Sequence, residues 1–195
     1  YLPHLAAMED LTKVTHGRAL ARKYPVFCLD VRGTGESRPD EEADFLDPYG
    51  MDYMLHGQGR LLGESYLGRR VHDVLATLDL LVAEGAQRVA LYGRGQGAIL
   101  ALFAADLHPA IQSLTLVNAP ISFHQWTQVP IVEWPAVNCL YNVLNFFDIP
   151  DCIRSLGNRV KIIQPWGPDM RPMRRQEIDR LFREYEVPLS LLSNI

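Results

Sequence analysis

Between Val89 and Leu107 the sequence passes from an apolar strand straight into an apolar helix, through glycines at three alternate positions, Gly93, Gly95 and Gly97. Val89 to Tyr92 has strand length, and Ala98 to Leu107 is rich in Ala and Leu. So abrupt a turn needs residues that tolerate positive φ and let two backbones approach closely, and glycine does both. Apolar segments on either side with no polar face predict a buried strand and a buried helix, the kernel of a layered α/β domain.

The neighbouring segments continue this alternation. Tyr24 to Val31 is a continuous apolar run, which predicts a strand covered on both faces. Glu64 to Glu84 carries Leu67, Val71, Val74, Leu75, Leu78, Leu81 and Val82 at helical spacing and is stopped by Gly85. Ile111 to Val117 and Arg159 to Gln164 are further strands, and Arg174 to Tyr185 is a final amphipathic helix. His16 to Lys23 reads as the basic end of a helix, Pro39 to Gly63 as a long excursion over the surface, and Pro135 to Phe147 as the helical part of an aromatic insert at about 120–155. The order predicts one α/β domain over 1–195, three-layered α/β/α with a mainly parallel sheet.

The glycine turn fits two registers. In the elbow form, G-x-nucleophile-x-G, Gly93 and Gly97 flank the nucleophile position, which is then Gly95, a residue with no side chain to attack with. In the dinucleotide form, G-x-G-x-x-G/A, the matching residues are Gly93, Gly95 and Ala98. That form also wants an acid at the end of the next strand. Here the strand ends in Asn118, and no Asp or Glu lies between Asp106 and Glu133.

Composition narrows the partners. At 195 residues and 48% hydrophobic the chain can build one sizeable core, and its net charge of −4 gives no basic footprint for nucleic acid. No apolar run approaches the roughly 20 residues of a membrane span. The start, Tyr1-Leu-Pro-His4, has neither the pattern of a signal peptide nor an initiator Met, so a piece of a longer chain is expected and the compartment is left open. Cys28, Cys139 and Cys152 are odd in number and lack CxxC spacing, against a zinc site or a disulfide framework. Cys28 is expected in the core, with a Cys139–Cys152 pair the alternative for the other two.

Leu29-Asp-Val-Arg-Gly-Thr-Gly-Glu-Ser37 resembles the D-x-R-G-x-G-x-S turn after a central strand of many α/β-hydrolases. The order of elements from about 16 to 186 follows that superfamily, and the insert ending in Phe147-Asp-Ile-Pro-Asp151 resembles its acetyl-xylan-esterase-like members. The resemblance implies a nucleophile, an acid and a His in that chain order. Asp169 stands at the acid position, Gly95 at the nucleophile position, and none of the six His follows Asp169. Gln96, with Gly97 behind it, holds the position whose backbone N–H serves an oxyanion, so an anion site at the helix N-terminus is expected to survive. The other oxyanion donor is expected in strands before Tyr1.

Ser122 and His124 follow a strand end and offer a substitute triad with Asp169. The alternative is that Ser122 caps a helix and His124 lies on a loop. Asp30 is a catalytic candidate or, as expected, ties its turn together with Arg32 by a charge-assisted hydrogen bond; Arg70 and Asp73 are expected to pair at i, i+3, and Arg94 to find a nearby acid. The expected function is a catalytically degenerate hydrolase-fold domain with a structural or interaction role, partnered by another hydrolase domain or its own copy, with no cofactor or metal. The alternatives are an active carboxylic-ester hydrolase completed by residues outside the chain, and dinucleotide binding at the Gly93 turn.

Overall fold

The structure, a computed structural model, describes residues 1–4, 6, 15–23, 25–38 and 50–193. Helix α1 spans Thr15–Lys23, α2 Gly50–Leu61 and α3 Tyr66–Ala83. Strand β1 (Val89–Arg94) feeds α4 (Gln96–Leu107), followed by β2 (Ile111–Val117), α5 (Ile149–Leu156), β3 (Val160–Ile163), α6 (Arg175–Glu184) and a short β4 (Leu192–Ser193). The sheet runs in the order β1-β2-β3-β4 with every pair parallel, so the fold is the three-layer α/β/α sandwich predicted by the alternation.

Helix α3 forms where the apolar stripe lies. Ser65 caps it by accepting from the Gly68 N–H at 3.0 Å, and Leu67, Val71, Val74 and Leu78 are buried. Gly85, at φ 101°, terminates the segment. Helix α4 is apolar all round and buried from Gln96 to Ala105, as a helix enclosed by the sheet and two other helices must be. Gly93 sets how closely it packs on β1. A Cβ there would overlap the backbone of Gly97 and Ala98.

Four local expectations are corrected. Of the strand expected over Tyr24–Val31, Tyr24 lies outside the described residues, and 25–31 form no strand ladder among the described residues. The chain that lies beside β1 is Tyr1–Pro3 instead: Leu2 bridges Gly93 in parallel, donating to Tyr92 O at 2.8 Å and accepting from Arg94 N at 3.0 Å. On its other side Leu29 N donates to Tyr1 O at 3.2 Å. Pro135–Phe147 is not an α-helix but two single turns, Ala136–Asn138 and Val143–Asn145, separated by Asn142 in the left-handed region at φ 60°. Within the surface excursion, 39–49 lies outside the described residues, but 50–61 is helix α2 despite three glycines. A buried ion pair to Arg70 holds it, and such a tertiary tie overrides weak propensity.

The fourth correction concerns ion pairs. Asp73 pairs with Arg32, not Arg70. Its carboxylate takes the Arg32 Nε at 2.8 Å, the Arg32 backbone N–H at 3.1 Å and the Nη2 as well. Arg70, 2% exposed, donates to Asp52 Oδ1 at 2.7 Å and to the carbonyls of Arg32 and Gly33 at 3.0 and 3.4 Å. The glycine-rich turn is thus fastened by α3 from both sides, while Asp30 accepts from the Glu36 N–H at 3.3 Å. Among the described residues no cysteine forms a disulfide, and Cys28, expected in the core, is only half-buried.

Candidate functional site: a filled elbow

The strand-to-helix turn places Gly95 at φ 55° and ψ −120°, a backbone conformation that L side chains rarely adopt. Its N–H donates to Val117 O at 2.9 Å, which pins the turn to β2. The space above Gly95 is taken by His4. A Cβ on Gly95 would overlap the imidazole at Nδ1 and Cγ. Gly97 is needed for a related reason, since a Cβ there would overlap the carbonyl oxygens of Leu2 and Pro3.

The imidazole is held by the group that makes this turn useful in catalysis. Gln96 N–H, the first free donor of α4, donates to His4 Nδ1 at 3.1 Å. A nitrogen that accepts an N–H carries no proton, so His4 is the neutral tautomer with its proton on Nε2. The Gln96 side chain completes the clasp. Its Nε2 donates to His4 O at 3.5 Å, and its Oε1 accepts from the buried Asn138 at 3.1 Å. The Trp166 ring meets His4 edge-on at 5.5 Å, and the Arg94 guanidinium lies over Trp166 at 5.6 Å. The cavity bordered by His4, Gln96, Gly97, Arg70 and Asn138 measures about 10 Å³, room for one water.

The remaining predicted residues lie elsewhere. Asp169 is exposed in the turn after β3, where its Oδ1 accepts from Arg171 N at 3.2 Å. Ser122 is 0% exposed and donates to Asp148, the residue that caps α5. Its oxygen accepts from Gln125 N at 3.4 Å, which is capping behaviour. His124 lies at the surface, with Nδ1 3.1 Å from the Tyr185 hydroxyl and Nε2 3.4 Å from Gln128. No hydrogen bond joins Ser122 to His124, or either one to Asp169, so the substitute triad is not assembled. Burial pushes the Tyr185 phenol up, and Ser122 opposes that shift.

A glycine-flanked turn between strand and helix, a parallel sheet and the fastened Asp30–Ser37 turn all meet in one sequence window. The model of the α/β-hydrolase fold family matches residues 14–138. The chain belongs to this family. No curated protein and no solved structure matches it.

Active α/β-hydrolases carry a nucleophile at the elbow and use the following N–H as an oxyanion donor. In this α/β-hydrolase-fold chain Gly95 lies at the strand-to-helix turn, and the N–H that follows it is bonded to His4. Sequence reasoning missed His4 because it sought a histidine after the acid, in the family's chain order. The available signal was its place at the end of the apolar Tyr1-Leu-Pro segment, a candidate edge for β1.

Proposed function

We propose that this chain is a catalytically degenerate α/β-hydrolase-fold domain with a structural or interaction role, beside another hydrolase domain or a copy of itself. One observation carries the proposal: the His4 imidazole occupies the space of a nucleophile side chain and accepts the N–H that an oxyanion would need. A substrate carbonyl has nowhere to sit, because the adjoining cavity holds about one water. The same occupancy weighs against dinucleotide binding. A pyrophosphate at the α4 N-terminus would have to displace His4 and face the carbonyl oxygens of Leu2 and Pro3.

The test is hydrolysis of p-nitrophenyl acetate and longer acyl esters by the purified chain. No turnover above a buffer blank is expected. Turnover that vanishes on Asp169→Asn or Ser122→Ala would sink the proposal. A second function is favoured by Asp169, an exposed carboxylate whose hydrogen bond comes from its own turn. That function is ester hydrolysis of the acetyl-xylan-esterase-like kind, completed by residues outside this chain. A G-x-S-x-G segment or a late His in a longer coding sequence would support it.

A further inference from the structure

Away from the elbow, α3, α4 and α5 leave a groove of about 630 Å³ between them. Its walls are apolar, built from Leu67, Val71, Leu75, Phe103, Leu107 and Phe147. Leu107 is 64% exposed and Phe147 36%, so large apolar surface stands in solvent here. The volume lies in the range of about 300–1,000 Å³ typical of sites that take organic groups.

Two further observations say what belongs in it. The first is charge. Asp106 and Asp151 stand in the groove, the first bonded by Ser155 and the second paired with Arg154, and the lining adds His72 but no Lys or Arg. Their field is felt at the groove's own Cys152, whose thiol is pushed up to about 12, first by burial and then by Asp106, Asp151 and Asp148. The second is Gly68, on the α3 wall. A Cβ there would make ordinary contact with Ser65 alone, so packing within the described chain does not require a glycine. Helix propensity disfavours it. What a glycine does provide is close approach of another backbone.

We propose that this groove docks an amphipathic helix of a partner protein, with Lys or Arg beside its apolar stripe. Its apolar side chains enter between α3 and α4, its backbone passes over Gly68, and a cation beside the stripe meets Asp106. This rests on the interaction role proposed above and names the partner's chemistry.

Fluorescence anisotropy with a labelled synthetic Leu/Lys amphipathic helix tests it, against the same helix with Glu in place of Lys. The Leu/Lys helix is expected to bind the wild type at least about tenfold more tightly than the Leu/Glu helix, a difference of about 1.4 kcal/mol. Gly68→Leu, which fills the groove, and Asp106→Lys, which reverses its charge, should each weaken Leu/Lys binding about tenfold or more. Their thermal midpoints are measured alongside and should stay near the wild type's. Equal affinity for both helices, or full Leu/Lys binding by a folded Gly68→Leu variant, overturns the proposal. So does a stable homodimer whose groove the helix cannot enter. Binding is read without ester hydrolysis, so an active esterase would refute the inactive elbow while leaving this result intact.

Discussion

His4 Nδ1 lies 3.1 Å from the backbone nitrogen of Gln96 and accepts its hydrogen. That single bond gives the N-terminus of a buried helix the acceptor it lacks. It also removes the imidazole lone pair from chemistry, because the remaining ring nitrogen carries the proton and is a donor rather than a base. Gly95, lacking a Cβ, is the residue that makes room for the ring.

Coupling between these two positions should be measurable. Gly95→Ser introduces a side chain at φ 55°, which costs about 1–3 kcal/mol, and must also expel the imidazole. His4→Ala leaves the Gln96 N–H without its acceptor, which costs about 1–3 kcal/mol. In the double variant the serine no longer meets the ring. The double variant should lose less stability in urea unfolding than the two singles summed, by about 0.5–3 kcal/mol. Strict additivity would mean that His4 does not fill the elbow.

Arg70 is the buried cation that joins α2, α3 and the glycine-rich turn. Arg70→Met leaves Asp52 and the carbonyls of Arg32 and Gly33 without their donor. The expected loss is about 3–5 kcal/mol in urea unfolding, as for other buried pairs that lose one partner. Arg70→Lys should recover less than half of it, since one ammonium cannot span three separated acceptors.

Acid should loosen the same region through Asp73. Burial works against its charged form, yet the hydrogen bonds and charge of Arg32 hold the carboxyl below its usual value. A carboxyl depressed in the folded state adds stability above the unfolded pKa of about 4, and that stability is lost as pH falls through the folded value. Unfolding midpoints measured from pH 7 down to pH 2 should fall more steeply for the wild type than for Asp73→Asn. Parallel profiles would show that the pair contributes nothing.

Much of the architecture was legible because it is periodic. The stripe from Leu67 to Leu78, the face of Ile178, Leu181 and Phe182 on α6, and the runs that became β1, β2 and β3 each carry their environment in their spacing. What failed was decided by distant partners. Residues 25–31 look like a core strand, yet the place beside β1 belongs to Tyr1–Pro3. Helix α2 was hidden by its glycines and is secured through Asp52. The aromatic run after Pro135 bends at Asn142, whose positive φ no periodicity announces. At the site the glycine turn between strand and helix was legible. Its occupant was not, because His4 is 92 residues from Gln96 and nothing local ties the two together.

That separation also bears on how the protein is made. Tyr1–Pro3 cannot take its place until Tyr92 and Arg94 exist to bond it, and His4 must wait for Gln96. At about 5–20 residues per second a ribosome needs several seconds to cover that distance. A segment synthesised early must therefore stay uncommitted, with its apolar Tyr and Leu in water, while the helix that will hold it is still being translated. The piece that closes the elbow is made before it and settles after it.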